Sequence, residues 1–344
     1  MKPVHQITKV FLSGFSLMLL LLVACNKDDT SIIDPPYALD LPEGFPTPYI
    51  PSDNLLTQKK VALGKKLFFD PILSKDSTIS CSSCHRVGLA FSDDKAFSKG
   101  VDDSIGFRNA MPLVNVAYNA SFFWDGGVPS LELQAIAPIT AEFEMHENLE
   151  VVIEKISRNE SYQKLFFEVF GTQPELSLLL KSIASFERTL ISGNSAYDKE
   201  TYQGLQTLSS SQVRGRDLFF SDNLKCSTCH SGFNFTNNKF ENNGIYDIYT
   251  DLGRRRVTVR YQDDGKFKVP TLRNVELTPP YMHDGSMATL EQVVEHYNSG
   301  GKSHFNKSSL IKPLYLTAQD KTDLVNFLKS LTDYSFINNP KFIP

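Results

Sequence analysis

Two short motifs of cysteine and histidine constrain this chain more than any other feature of its sequence. Residues 81–85 read CSSCH and residues 226–230 read CSTCH. These two motifs contain four of the five cysteines in the chain. Two cysteines separated by two residues and followed at once by histidine suit a zinc site, a redox-active disulfide or a covalently attached haem. Each of these would make a different kind of protein.

The spacing and surroundings of the motifs favour haem. A zinc site built from two CxxC pairs typically places them about 15–20 residues apart. Here the pairs are 145 residues apart, and each has its own histidine. A thioredoxin-like redox pair requires a βαβ setting, which neither flank shows. We therefore predict two c-type haems. Their attachment residues are Cys81, Cys84, Cys226 and Cys229, and the proximal iron ligands are His85 and His230.

An internal repeat accompanies the motifs and indicates the fold. LGKKLFFD at 63–70 precedes the first motif and RGRDLFFS at 214–221 precedes the second, each as a short amphipathic helix. Apolar residues at three- and four-residue spacing predict further helices over 148–169, 175–191 and 317–331. The sequence shows no convincing series of hairpins. We expect a mainly α fold made of two tandem cytochrome c-like units.

The N-terminus has the features of an export signal. Lys2 and Lys9 precede an apolar run that is too short and too interrupted for a comfortable membrane span. The run ends in LVAC, which resembles a lipobox with Cys25 as the lipidated residue; the alternative is an ordinary signal peptide. We assign 1–24 to a lipoprotein signal peptide and 25–55 to a Pro-rich tether. The mature chain should lie on the periplasmic side of the cell envelope, anchored to a membrane by lipid.

The composition argues against a nucleic-acid partner. The formal net charge is −4, and no basic stripe interrupts the sequence. With 41% hydrophobic and 22% charged residues over 344 positions, the chain is globular and long enough for one large or two medium domains.

Several longer motifs resemble those of the bacterial di-haem cytochrome c peroxidase family, including its MauG-like branch, which matures methylamine dehydrogenase. Besides the two CxxCH motifs, the similar segments are RNAMPLVNVAYNASFFWDGG (108–127), LELQAIAPI (131–139), EFEM (142–145), SFERTLISGNSAYD (185–198) and FKVPTLRNVELTPPYMHDGS (267–286). The resemblance implies two cytochrome c-like domains whose haems face the domain interface. The N-terminal domain (56–200) would hold the peroxidatic haem and the C-terminal domain (201–344) the electron-transfer haem.

The same resemblance implies roles for individual residues. Glu144 lies where the family has its catalytic glutamate, and Gln134 lies where the family has a distal-pocket amide. A partly desolvated carboxylate can have its pKa raised towards neutrality and pass a proton in both directions. Trp124, the only tryptophan of the chain, matches a position between the haems that assists electron passage. Without the resemblance, Glu144 and Gln134 would be ordinary surface residues and Trp124 a core aromatic.

The surroundings of the first haem depart from the pattern of many family members. In many of these peroxidases a histidine beyond the first CxxCH caps the N-terminal haem until the other haem is reduced. The stretch 86–109, directly after His85, contains no histidine. We therefore expect an N-terminal haem that is open at rest and needs no reductive activation. His146 is a less favoured substitute for the capping ligand.

The second haem departs from the pattern as well. Ordinary family peroxidases have a methionine ligand at a position that here is Tyr297, fourteen residues beyond His283. This matches the MauG-like branch, in which a tyrosine ligates the iron. TLEQ at 289–292 is a capping box that predicts a helix carrying Tyr297. An anionic phenolate should lower the haem potential, whereas methionine raises it. The alternative is that Tyr297 is a core aromatic and Met282 or Met287 binds the iron.

Further residues match the family by position. Asn109, Thr278 and Pro280 match a calcium site between the haems, built from the oxygen donors that calcium prefers. Arg273 is a candidate partner for a haem propionate, because guanidinium and carboxylate pair bidentately. His283 is expected near the second haem, in a structural hydrogen-bonding role.

Three functions follow from these interpretations. The first is an enzyme that reduces hydrogen peroxide with electrons from a small donor protein, either a c-type cytochrome or a cupredoxin. The second is a MauG-like oxidase that modifies a protein or organic substrate through a high-valent haem. The third is a non-catalytic electron-transfer cytochrome, which requires both irons to be saturated by protein ligands. The missing histidine after the first motif disfavours the third function.

Overall fold

The computed structural model describes residues 34–344, together with residues 1 and 3. The predicted signal peptide (1–24), apart from those two positions, and Cys25 therefore lie outside the described residues. Asp34–Pro344 forms one compact body. Within it, none of the helices has the length and apolar character that crossing a membrane requires.

The described chain is mainly helical, as its apolar periodicity predicts. Two-residue strands β1 (Phe240–Glu241) and β2 (Phe267–Lys268) form an antiparallel pair. The α-helices in chain order are α1 (Gln58–Phe69), α2 (Cys81–Cys84), α3 (Leu131–Gln134), α4 (Ile136–Thr140), α5 (Leu149–Arg158), α6 (Glu160–Phe170), α7 (Leu176–Glu187), α8 (Ala196–Gln203), α9 (Ser210–Phe219), α10 (Cys226–Cys229), α11 (Arg255–Thr258), α12 (Leu290–Ser299), α13 (Ala318–Lys329) and α14 (Tyr334–Ile337).

One predicted helix is divided in two. The apolar pattern over 148–169 covers both α5 and α6, which are separated at Asn159. The Asn159 side chain accepts hydrogen bonds from the backbone N–H groups of Ser161 and Tyr162, so it caps the start of α6. Asparagine favours this position because its side chain satisfies donors that a helix start leaves unpaired. The other two predicted helices are α7 and α13, each ending a few residues early.

The repeated helices occupy equivalent places in two cytochrome c-like units. Helix α1 packs on α7, and α9 packs on α13. A glycine stands at each crossing. A Cβ on Gly64 would lie 1.8 Å from the Ser182 carbonyl oxygen, and one on Gly215 would lie 1.9 Å from the Asp323 carbonyl oxygen. Only glycine therefore allows either helix pair to approach this closely. The predicted fold class is confirmed.

A second repeat, which the sequence alone did not reveal, follows each CxxCH motif. In each unit an asparagine in the left-handed conformation begins a short helical turn, an isolated β-bridge follows, and a hydroxyl residue caps the next helix. Equivalent residues are 159 positions apart in the sequence. The pairs are Asn115 and Asn274, Phe122 and Tyr281, Val128 and Met287, and Ser130 and Thr289. The repeat also makes Trp124 equivalent to His283, and Pro138 equivalent to Tyr297.

Aromatic side chains fill the core of both units. In the second unit Phe219, Phe235 and Phe327 pack together. In the first unit the cluster includes residues from the C-terminal end of the chain, which crosses back to reach it. Its phenylalanines are Phe68, Phe91, Phe186, Phe336 and Phe342.

The described part of the predicted tether wraps over the fold. The Phe45 ring lies 4.7 Å from the Phe233 ring, measured between centroids. Asn54 is fully buried, and its Nδ2 donates to Glu132 Oε1 at 2.8 Å. The hydroxyl of Tyr118 donates to a backbone oxygen of the same arm, at Pro46. Residues 34–55 thus act as an ordered arm that contacts both units.

Candidate haem sites

Each CxxCH motif forms a short helix with its histidine directly after it. His85 Nδ1 lies 2.9 Å from the Phe91 carbonyl oxygen, and His230 Nδ1 lies 3.0 Å from the Phe235 carbonyl oxygen. Because a carbonyl oxygen only accepts, Nδ1 must carry the proton and Nε2 keeps its lone pair. Burial lowers the pKa of both imidazoles, against the opposing effect of these hydrogen bonds. A neutral, oriented imidazole with a free Nε2 is what an iron ligand requires.

A cavity opens beside the second motif. Cys226, Cys229 and His230 line it, together with Tyr297 from α12 and Trp124 from the first unit. The four cysteines of both motifs are free and partly accessible. Apolar side chains form much of the remaining wall, among them Phe219, Leu224, Val275, Leu290, Leu324 and Leu328. Paired thiols, an oriented imidazole and an apolar wall are the features that suit a covalently held porphyrin.

Helix α12 brings Tyr297 to this cavity. The predicted capping box is present, since the Thr289 hydroxyl accepts from the Gln292 backbone N–H and the Gln292 side chain accepts in return from the Thr289 N–H. Val293, Val294 and Tyr297 all line the cavity, as their spacing along the helix predicts.

Of the two methionines that could compete with Tyr297, one reaches the cavity. Met282 lines it, and its Sδ accepts from Asn243 Nδ2 at 3.4 Å. Met287 is not part of the lining. Burial raises the pKa of Tyr297, and the nearby Asn243 side chain opposes that rise. Both Tyr297 and Met282 are therefore placed to face a group bound in the cavity.

Glu144 lies in a turn close to the first motif. The Val101 N–H donates to the Glu144 carbonyl oxygen at 2.8 Å, and a Cβ on neighbouring Gly100 would come within 2.7 Å of that oxygen. Within residues 34–344 the carboxyl group makes no hydrogen bond or ion pair, and burial raises its pKa. Burial raises the pKa of Cys81 and Cys84 as well, and the Glu144 charge adds to it. The carboxyl group is therefore close to the first haem attachment.

The rest of the first site offers an amide and no equivalent of Tyr297. Gln134 ends α3, is half-buried, and its side chain makes no hydrogen bond to any other residue in 34–344. Pro138 in α4 takes the place that Tyr297 has in the second unit. A proline ring has no atom that could bind iron. The His146 side chain likewise makes no hydrogen bond within 34–344, and its backbone adopts a φ of 50°.

Trp124 lies where the two units meet. It is 8% exposed and packs with Ile245, Tyr249 and Phe267 of the second unit. Its Nε1 donates to the Asn109 carbonyl oxygen at 2.9 Å. Burial between the units suits both a core aromatic and an electron pathway.

The three residues of the predicted calcium site line the same cavity. Asn109, Thr278 and Pro280 all line the cavity beside the second motif. Asn109 Nδ2 donates to the Lys95 carbonyl oxygen at 2.9 Å, while no group within 34–344 donates to its Oδ1. The Asn109 backbone N–H donates to the carbonyl oxygen of His283, whose ring stacks on Phe267 at 3.7 Å.

Arg273 lies away from this cavity, and protein groups already occupy its guanidinium. It forms an ion pair with Asp198 at 2.8 Å, and both side chains are 1% exposed. Its Nε donates to the Phe233 carbonyl oxygen at 2.7 Å, and the Phe45 ring lies 4.6 Å away. Arg273 is not among the residues that line the cavity beside the second motif. These contacts account for its burial without a propionate.

Among the buried charged side chains that were not identified from the sequence, two are relevant to the sites. Glu187, at the end of α7, is 3% exposed, and its Oε2 has no hydrogen-bond partner within residues 34–344. Burial raises the pKa of Glu187 to about 8. Lys268 in β2 is 2% exposed and lines the cavity. Both residues lie within quoted motifs, at 185–198 and 267–286, but the sequence does not show that tertiary packing buries them.

Comparisons with known proteins agree with this geometry. Residues 58–206 match the family model described as di-haem cytochrome c peroxidase. The methylamine utilization protein MauG of Methylorubrum extorquens is 36% identical over 304 residues, which cover 84% of this chain and 82% of that protein. The chain belongs to the di-haem cytochrome c peroxidase family. Membership in this family implies two c-type haems, as the two CxxCH motifs predict.

Two further family relatives show how far the similarity extends. The cytochrome c551 peroxidase of Nitrosomonas europaea is 35% identical to this chain, with 78% of this chain and 79% of that protein aligned. The crystal structure of a MauG-like protein associated with microbial copper homeostasis superimposes with a TM-score of 0.85 at 32% identity. That match covers 89% of this chain and 99% of the other.

Proposed function

We propose that this protein is a di-haem peroxidase that reduces hydrogen peroxide to water. Electrons would come from a small donor protein, either a c-type cytochrome or a cupredoxin. The observation that carries the proposal is Glu144, a half-buried carboxyl group with a raised pKa and no protein partner within 34–344, whose charge acts on Cys81 and Cys84. Peroxide reduction consumes two electrons and two protons and yields two water molecules, so it needs such a proton carrier.

The haem held by Cys81, Cys84 and His85 would supply the iron that exchanges electrons with peroxide. The protein supplies proton transfer and positioning. Glu144 takes a proton from one peroxide oxygen and returns it to the departing oxygen. The Gln134 amide donates a hydrogen bond that holds the substrate in place.

The remaining residues are proposed to keep the first site open to peroxide or to supply it with electrons. Pro138, which stands where the second unit has Tyr297, would offer no ligand to an iron held at the first site, so we expect that no reductive activation is needed. Cys226, Cys229 and His230 would hold the haem that supplies the electrons, and Trp124, buried where the two units meet, would assist their passage between the sites.

Steady-state turnover tests the proposed function. We expect the fully oxidised protein to oxidise reduced cytochrome c upon addition of peroxide, without prior reduction. EPR of the same ferric protein should show one high-spin haem, because the first site lacks a second protein ligand. Two low-spin haems and no turnover with several donors would favour the electron-transfer cytochrome instead.

A second function, oxidation of a protein or organic substrate, is favoured by Tyr297. A phenolate ligand lowers the potential of the second haem and so favours its oxidised states. A protein that consumes peroxide yet oxidises no small donor protein would belong to this class.

Replacing Tyr297 by Phe tests its role as iron ligand. We expect the optical and EPR spectra of the C-terminal haem to change, because the iron loses its oxygen donor, while the N-terminal haem keeps its spectrum. Met282→Leu is the matched control, since Met282 lines the same cavity. A changed spectrum in Met282→Leu together with an unchanged one in Tyr297→Phe would assign the ligand to methionine.

Calcium and the cell location complete the proposal. Asn109 Oδ1 and the carbonyl oxygens of Thr278 and Pro280 would bind one calcium ion, because calcium prefers oxygen donors of this kind. The lipobox at Cys25 would anchor the mature chain to a membrane on the periplasmic side of the envelope.

A further inference from the structure

Lys268 carries a buried ammonium group without an acidic partner. Its side chain belongs to β2 and is 2% exposed. The Nζ atom donates to Asn119 Oδ1 at 3.0 Å, and no carboxylate of residues 34–344 lies within ion-pair distance. Burial lowers the pKa of Lys268 to about 8, with no charged group offsetting the effect. Buried charges are normally paired, so a buried ammonium group whose partner is a neutral amide indicates a site for an anion.

The surroundings of Lys268 indicate where that anion belongs. Lys268 lines the cavity that contains Cys226, Cys229 and His230. Its backbone N–H donates to the Trp124 carbonyl oxygen at 2.7 Å, which fixes β2 against the first unit.

The other cationic side chains near the second motif are solvated by water or paired with an acid, whereas Lys268 is neither. Lys225 and Lys312 line the same cavity but are exposed, so water solvates them. Arg273 is buried but already paired with Asp198. Among the lysines that line this cavity, Lys268 alone is buried.

We propose that Lys268 binds a propionate of the second haem and thereby anchors the cofactor and raises its reduction potential. A haem carries two propionates, which are its anionic groups at neutral pH. Asn119 positions the ammonium group, because its Oδ1 accepts a hydrogen bond from Lys268 Nζ at 3.0 Å. Asn119 does not itself line the cavity. The inference requires that a haem is bound by Cys226, Cys229 and His230. It does not require that the protein turns over peroxide.

Spectroscopy of the holoprotein tests this contact. In Lys268→Met we expect a lower reduction potential for the C-terminal haem in a spectroelectrochemical titration, because a positive charge that stabilised the reduced form is gone. The propionate-bending band of that haem in resonance Raman spectra should also shift. Lys268→Arg keeps the charge and should retain the potential, and Asn119→Leu should shift the same Raman band.

Lys312→Met is the matched control, because it removes an exposed charge from the same cavity. We expect its effect on the potential to be much smaller than that of Lys268→Met. The proposal would be overturned if Lys268→Met and Lys312→Met changed the reduction potential equally and the propionate band of Lys268→Met did not shift. A shift confined to the N-terminal haem would also overturn it, by assigning the propionate to the first site. If Lys268→Met fails to retain haem, Asn119→Leu and Lys268→Arg still decide through the Raman band.

Discussion

Replacing Glu144 by Gln is expected to lower the rate of peroxide turnover by about 10²–10⁴-fold, the usual contribution of a general acid–base group. Glutamine keeps the shape of the side chain but cannot accept and return a proton. The fold should tolerate the change, because the carboxyl group makes no hydrogen bond or ion pair within residues 34–344. Burial, which raises the pKa of Glu144, makes the carboxyl suited to transfer protons near neutral pH. The measurement is steady-state oxidation of reduced cytochrome c at saturating peroxide.

Glu142→Gln provides the control for this experiment. Glu142 lies two residues earlier in the same turn and is exposed. Its replacement removes the same charge and should leave turnover unchanged. Both variants should retain the haem content and melting temperature of the wild type. A Glu144→Gln variant with full turnover, or an equal loss in Glu142→Gln, would remove Glu144 from its proposed role.

The sequence predicted the fold well because its decisive signals are local. Each CxxCH motif, and each helix that precedes one, is a continuous stretch of sequence. The apolar face of each helix is visible in the sequence. The break at Asn159 was missed because the apolar spacing continues through it, while only the cap geometry shows that one helix ends and another begins. The glycines at the helix crossings, Gly64 and Gly215, gain their meaning only from the packed partner helices.

The site was less accessible to sequence reasoning, because burial and pairing depend on distant parts of the chain. Arg273 is an example, because the sequence does not indicate that Asp198, 75 residues away, pairs with its guanidinium. Lys268 has no sequence signal of its own. The repeat that makes Pro138 equivalent to Tyr297 was not recognised in the sequence. The equivalent residues differ at the positions where the chemistry of the two sites differs. Aligning the two halves around Asn115 and Asn274 would have revealed it.

The wild-type protein should lose stability as the pH rises because Glu187 ionises. Replacing Glu187 by Gln is expected to abolish this contribution. The Glu187 carboxyl has a pKa of about 8 in the folded protein against 4.5 ordinarily, chiefly because it is buried. The Arg188 charge opposes this rise in pKa, and the Glu132 carboxylate, which holds the Arg188 guanidinium at 2.6 Å, adds to it. Between these values the folded protein binds a proton that the unfolded chain does not. Stability therefore falls as pH rises, by about 1.4 kcal/mol per unit, or roughly 5 kcal/mol across the window as an upper limit.

Denaturant unfolding of the holoprotein at pH 5, 6.5 and 8 measures this effect. The free energy of unfolding of Glu187→Gln, taken relative to the wild type, should increase steadily with pH, because the amide does not ionise. Glu142→Gln should show no such increase, since its carboxylate is exposed in both states. A difference between Glu187→Gln and the wild type that stays constant from pH 5 to pH 8 would mean that Glu187 is already ionised in the folded protein.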